Sequence, residues 1–147
     1  MMVGIVVVGH GRLAEEMVQT LEGVLGPLEG LASVAAAFGD PPDAIRERIA
    51  SAVRGVDRGD GALIVTDMLG DTPTNLSLAV ARETGAEVVA GVNMPILVKL
   101  TTARGQMDAR SLACFIQRYG QDHIFWATAP RGDARARHAD ADGRRNH

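Results

Sequence analysis

Val3-Gly4-Ile5-Val6-Val7-Val8-Gly9-His10-Gly11 opens the chain with an unbroken apolar run that ends on a histidine. A run this short, rich in Val and Ile and without polar alternation, reads as a strand covered on both faces, as in a parallel sheet. Ligands of such sheets collect beyond the carboxyl ends of the strands. His10 is therefore a candidate reactive group. Its bland alternative is a histidine that only hydrogen-bonds within a strand-to-helix turn.

Outward from this run, the apolar pattern alternates between two periods. Runs suited to strands occur at residues 2–8, 31–38, 61–66, 86–92 and 123–127. Between them, residues 12–25 set Leu13, Met17, Leu21 and Val24 on one helical face, and residues 42–54 set Ile45, Ile49 and Val53 on another. Asp40-Pro41-Pro42 opens the second helix, with Asp as its cap. Thr72-Pro73 opens a third that runs to about Glu83 and stops at Gly85. A short helical segment spans 96–103, and residues 108–119 carry Leu112, Phe115, Ile116 and Tyr119 inward. This alternation predicts an α/β fold, an open doubly wound sheet of parallel strands with helices on both faces. A closed barrel of eight such units needs roughly 250 residues. Residues 129–147 contain no large aliphatic side chain and are expected to be a disordered tail behind a domain at 1–128.

Composition excludes several functions. A net charge of -3 offers no footprint for nucleic acid, and aromatics at 3% leave no base-stacking surface. Cys114 is the only cysteine, so no internal disulfide can form; between Ala113 and Phe115 it reads as a buried structural thiol. His123, His138 and His147 are too scattered for a zinc site, and no metal or cofactor is expected. No apolar run approaches the roughly 18 residues that cross a bilayer, and no basic leader with a cleavage site opens the chain, so a cytoplasmic protein is expected.

Leu63-Ile64-Val65-Thr66-Asp67 ends the third strand on a carboxylate. In a doubly wound sheet that starts in its middle, strands 1 and 3 are neighbours where the winding reverses, so His10 and Asp67 should share one crevice. A carboxylate on one ring nitrogen fixes the tautomer, leaves the other nitrogen its lone pair and favours the cationic ring that forms on attack. The following turn, Met68-Leu69-Gly70-Asp71-Thr72-Pro73, leads into a helix N-terminus, which favours an anion by roughly 0.3–1 kcal/mol. Gly70 allows close backbone approach. Thr72 can cap the helix or reach an incoming oxygen.

At these residues the chain resembles a family. Gly9-His10-Gly11, Asp67-x-x-Gly70-x-Thr72-Pro73-x-Asn75 and Asn93-Met94-Pro95, in order over about residues 1–127, are similar to the mannose-type enzyme IIA component of the bacterial sugar phosphotransferase system. The resemblance implies that His10 accepts a phosphoryl group from the histidine-containing phosphocarrier protein and passes it to a IIB component. It implies that Asp67 orients and charge-balances the ring, that Thr72 lies near the phosphoryl group, and that Asn93 and Pro95 shape the fourth loop. It also implies a homodimer in which the last strand, residues 123–127, joins the partner's sheet in antiparallel sense, and contact with a membrane only through a transporter complex. Gly70, Asp71 and Thr72 are the expected phosphoryl-binding residues, with Met68, Leu69 and Met94 as docking surface.

One departure from the family pattern stands out. Asp71 replaces a second glycine, and an inward carboxylate there repels a phosphoryl dianion, whereas an outward one only favours the helix start. Two further readings stay open. Gly9-His10-Gly11-Arg12 superficially matches the histidine phosphatases, although the arginine that precedes their histidine is absent. A non-transferring regulatory domain of the same fold is the other.

Overall fold

The computed structural model describes residues 1–133. Its elements are β1 (Gly4–His10), α1 (Leu13–Leu25), β2 (Leu31–Ala36), α2 (Pro42–Val56), β3 (Ala62–Thr66), α3 (Thr72–Thr84), β4 (Glu87–Ala90), α4 (Met94–Ala103) and α5 (Ala109–Asp122). All strand pairs are parallel, in the order β2-β1-β3-β4. The chain leaves β1 for β2 on one side and returns to β3 on the other, so the winding reverses between β1 and β3. Val8 pairs with Thr66 in that ladder. The residues just beyond, His10 and Asp67, therefore emerge side by side.

The sheet is buried on both faces, which is why β1 carries no polar alternation. Ile5, Val7, Leu63 and Val65 pack with Leu21 of α1, Leu97 and Leu100 of α4, and Leu112 and Ile116 of α5. Val6, Val8 and Ile64 pack on the other side with Ile45, Ile49 and Val53 of α2 and Val80 of α3. The two layers press close at Gly4, where a Cβ would stand 2.4 Å from the Val56 carbonyl oxygen. Because that obstacle is backbone, Gly4→Ala is expected to cost about 1–3 kcal/mol, read as a lower denaturant midpoint at unchanged slope. An unchanged midpoint would mean that the end of α2 gives way freely.

Several sequence expectations are corrected. Leu13 and Val24 are exposed at 46% and 69%; the inward stripe of α1 runs instead through Ala14, Met17, Val18 and Leu21, the i, i+3, i+4, i+7 positions that face the core. Asp40 does not cap α2: the cap position is Pro41, and the Asp40 carboxylate binds Arg48 at 2.6 Å. Cys114 is exposed. It lies two residues from both Leu112 and Ile116, and at 100° per residue that places it opposite the buried face of α5. Residues 123–127 pair with no strand of their own sheet. Leaving α5, His123 turns back, its Nδ1 bonded to the Tyr119 carbonyl at 2.7 Å and its ring stacked on Tyr119 at 3.6 Å. The expected tail lies mostly outside the described residues. Among those described, no helix is long and apolar enough to cross a membrane.

Candidate functional site

The β3–α3 turn carries a carboxylate that is fixed from three sides. One Asp67 oxygen, Oδ2, accepts the His10 backbone N–H at 2.9 Å and faces the His10 ring Nδ1 at 2.7 Å. The other, Oδ1, accepts the Met68 N–H at 3.0 Å. A nitrogen this close to a carboxylate oxygen carries the proton, so Nδ1–H is the donor and Nε2 keeps its lone pair. The Asp67 side chain is only 9% exposed, against 32% for His10, so the pair is held at its carboxylate end and open at its ring end.

The electrostatics follow from this geometry. The hydrogen bond to Asp67 holds the His10 pKa above its ordinary value; burial opposes this, and the charges of Asp67 and Asp71 add to it. Burial alone would raise Asp67, but the His10 amide and ring and the Met68 amide outweigh it and keep the carboxyl below its usual range. The ring is thus prepared to carry positive charge against a carboxylate that stays ionised.

Below the turn, buried hydroxyls anchor the loop. Thr74 Oγ1 donates to the Met68 carbonyl at 2.6 Å, which leaves the Thr66 hydroxyl to donate to Thr74 at 2.8 Å. This relay ties the end of β3 to the first turn of α3 across the Asp67 loop. Gly70 lies at φ +86°, in the left-handed region that the turn needs, with open space where a side chain would be. Asp71, not Thr72, is the N-cap: its Oδ1 accepts the Thr74 N–H at 3.0 Å. Thr72 is the first helical residue and is exposed. Pro73 has no N–H and Thr74 gives its own to Asp71, so the chain's own carboxylate fills the anion position of this helix start.

Sequence reasoning missed Phe38 of the β2–α2 loop. Its ring, 85% exposed, stacks on His10 with centroids 5.9 Å apart. Leu13, at the start of α1, and Met68 and Leu69, which follow Asp67 in the turn, are exposed apolar side chains as well. Met94, expected with them, packs instead against the core. Asn93 caps α4 by accepting the Ile96 N–H at 2.9 Å, the loop-shaping part expected of it. The donor atoms of His10, Asp67 and Asp71 lie within 4.8 Å of one another, the one such trio among the described residues. A cation there would have to displace the Nδ1 proton that Asp67 already holds.

A family model described as the fructose IIA component of the phosphotransferase system, EIIA-man, matches residues 4–117. The chain belongs to this family. As a phosphotransferase-system IIA component it is 32% identical over 105 residues to the mannose-specific EIIAB component of Escherichia coli (strain K12), an overlap of 71% of this chain and 32% of that protein. It thus spans about a third of that relative. The fructose-specific EIIA component of Bacillus subtilis (strain 168) is 23% identical over 112 residues, 76% of this chain and 77% of that one. In fold the chain is similar to an EIIA component from Streptococcus agalactiae, with TM-score 0.78 and 23% identity over 87% of this chain and 100% of that one. A mannose/sorbose-specific IIA subunit from Enterococcus faecalis gives TM-score 0.78 and 22% identity over 89% and 98% of the two chains.

Proposed function

We propose that this IIA component is a phosphocarrier: His10 accepts a phosphoryl group on Nε2 from the histidine-containing phosphocarrier protein and passes it to a IIB component or holds it as a regulatory mark. The observation that carries this reading is the 2.7 Å contact between His10 Nδ1 and a buried Asp67, with the rest of the ring accessible. The Nε2 lone pair attacks phosphorus in line as the bond to the donor's nitrogen breaks and its electron pair returns to the donor. No proton has to leave His10, so no base is needed; positioning and charge balance do the work. The ring becomes cationic, and Asp67 balances it. The exposed Gly70 and Thr72 form the phosphoryl-facing wall, with Asp71 between them turned back to Nδ1, and the apolar residues Phe38, Leu13, Met68 and Leu69 receive the partner proteins.

The test is reconstitution. Incubated with enzyme I, the phosphocarrier protein and labelled phosphoenolpyruvate, the chain should take up acid-labile label. Hydrolysis of small phosphoesters to inorganic phosphate without such labelling would point to a histidine phosphatase instead. A complete cascade that leaves the chain unlabelled would indicate a non-transferring domain.

We further propose that the protein is a homodimer in which residues 123–127 join the edge of the partner's sheet. Two features support it: β4 is an edge strand, and Ile124, Phe125 and Trp126 are exposed. Sedimentation equilibrium should give twice the chain mass. A monomer at concentrations well above micromolar would remove this reading.

A further inference from the structure

Asp71 does two things with one side chain. Its Oδ1 is committed to the N-cap of α3, which fixes the carboxylate in place. Its Oδ2 is then buried without any hydrogen-bond partner, yet lies 3.3 Å from His10 Nδ1. The Nδ1–H is already aimed at Asp67 at 2.7 Å, so Asp71 receives no bond and acts through its charge alone. A buried, unbonded carboxylate oxygen is expensive, and rotating it away would break the cap. Two carboxylates therefore converge on one ring nitrogen, on the side away from Nε2.

We propose that Asp71 is a second positioning carboxylate that keeps the proton on Nδ1 while Nε2 carries a phosphoryl group, and so sets the pH range over which His10 releases that group. This rests on the reading of His10 as the phosphoryl acceptor. Release breaks the Nε2–P bond and returns its electron pair to Nε2, while an acceptor nitrogen or a water oxygen bonds to phosphorus; attacking water gives its proton to the departing phosphate. With Nδ1 protonated, the group that leaves is a neutral imidazole. Without that proton it is an imidazolate, a far poorer leaving group. The charge of Asp71 thus extends the readily released form to higher pH.

Among the described residues, only Asp67 and Asp71 form ion pairs with the His10 ring. The β3–α3 turn supplies both carboxylates; the β2–α2 loop supplies the uncharged Phe38 at the ring, and its own charged residue, Asp40, is paired with Arg48 at 2.6 Å. At the start of α1, its cap residue Arg12 pairs with both Glu15 and Glu16.

Asp71→Asn keeps an oxygen for the cap and the volume of the side chain but removes the charge; Asp71→Ser keeps cap ability with a different shape. Phosphorylated chain, freed of its donors, is followed for loss of label from pH 5 to 10. The alkaline fall in rate should move to lower pH by about one unit in both variants, which is about tenfold slower release at a fixed pH on that limb. The His10 ring of the unphosphorylated variants, titrated by NMR, should shift the same way, a change that loss of a cap alone would not produce. Profiles and titrations that superimpose on those of the unaltered chain overturn this role for Asp71 and leave the phosphocarrier reading standing. An unaltered chain that never takes label overturns both.

Discussion

His10→Ala is expected to abolish acid-labile phosphorylation by the complete donor cascade while leaving the fold intact. The loss is total because, among the described residues, the other members of the His10 cluster are Asp67 and Asp71, carboxylates that offer no nitrogen lone pair. The fold survives because the ring is at the rim. Without it, Asp67 still accepts the backbone N–H of position 10 and that of Met68, so the buried charge keeps two of its three partners. The penalty should be about 1 kcal/mol, a fall in Tm of about 2–4 °C. Label retained at wild-type level in this variant would place the acceptor elsewhere and sink the assignment. A variant that unfolds would contradict the geometry that puts His10 outside the core.

How much of this was legible in the sequence depended on how local each cause is. The His10–Asp67 pair could be read because each ends a strand whose apolar run is continuous, and the winding rule makes those ends neighbours. Residues 123–127 show the opposite case. Their apolar pattern suits a strand, but a strand exists only against a partner edge, and within the single chain they pair with none. The cap of α3 was misplaced by one residue because Asp71 and Thr72 are both good cap formers, and only the path of the turn chooses between them. Choosing Asp71 also turned its second oxygen toward Nδ1, a contact no spacing rule contains. Phe38 and the Thr66–Thr74 relay were missed for a related reason. A phenylalanine in a loop and threonines in apolar surroundings carry no pattern until the tertiary fold brings them against the site. Cys114 was misread because its neighbours in sequence are apolar while its helical face is not the buried one.

Asp67→Ala provides the sharper test of mechanism, because two effects of the substitution oppose each other. Removing the carboxylate lets the His10 pKa fall back toward 6.5, its ordinary value, which raises the neutral fraction near pH 7. If lone-pair availability limited the reaction, the variant would be faster by a few-fold. The same substitution removes the hydrogen bond that orients the ring and the nearer of the two charges that balance the cationic ring as the new N–P bond forms, leaving only Asp71, 3.3 Å from Nδ1. Losing an orienting carboxylate of this kind costs on the order of 10²–10⁴-fold. Orientation and charge balance therefore win, and phosphoryl uptake should slow by about a hundredfold or more, measured as the initial rate of labelling with saturating donor. The defect should persist at high pH, where both proteins are neutral at His10 and the proton no longer distinguishes them. Stability behaves differently. A raised His10 pKa contributes stability that is fully present below its unfolded value of 6.5 and is lost as pH rises through the folded value. A lowered Asp67 pKa contributes stability that is present above its unfolded value of 3.8 and is lost as pH falls through the folded value. The pair thus stabilises the fold most between those two unfolded values, and the difference in unfolding free energy between the unaltered chain and Asp67→Ala should be greatest there and narrow on either side. A rate that rises, or a stability difference that is flat across this window, would mean that Asp67 does not act through the charge and position of the His10 ring.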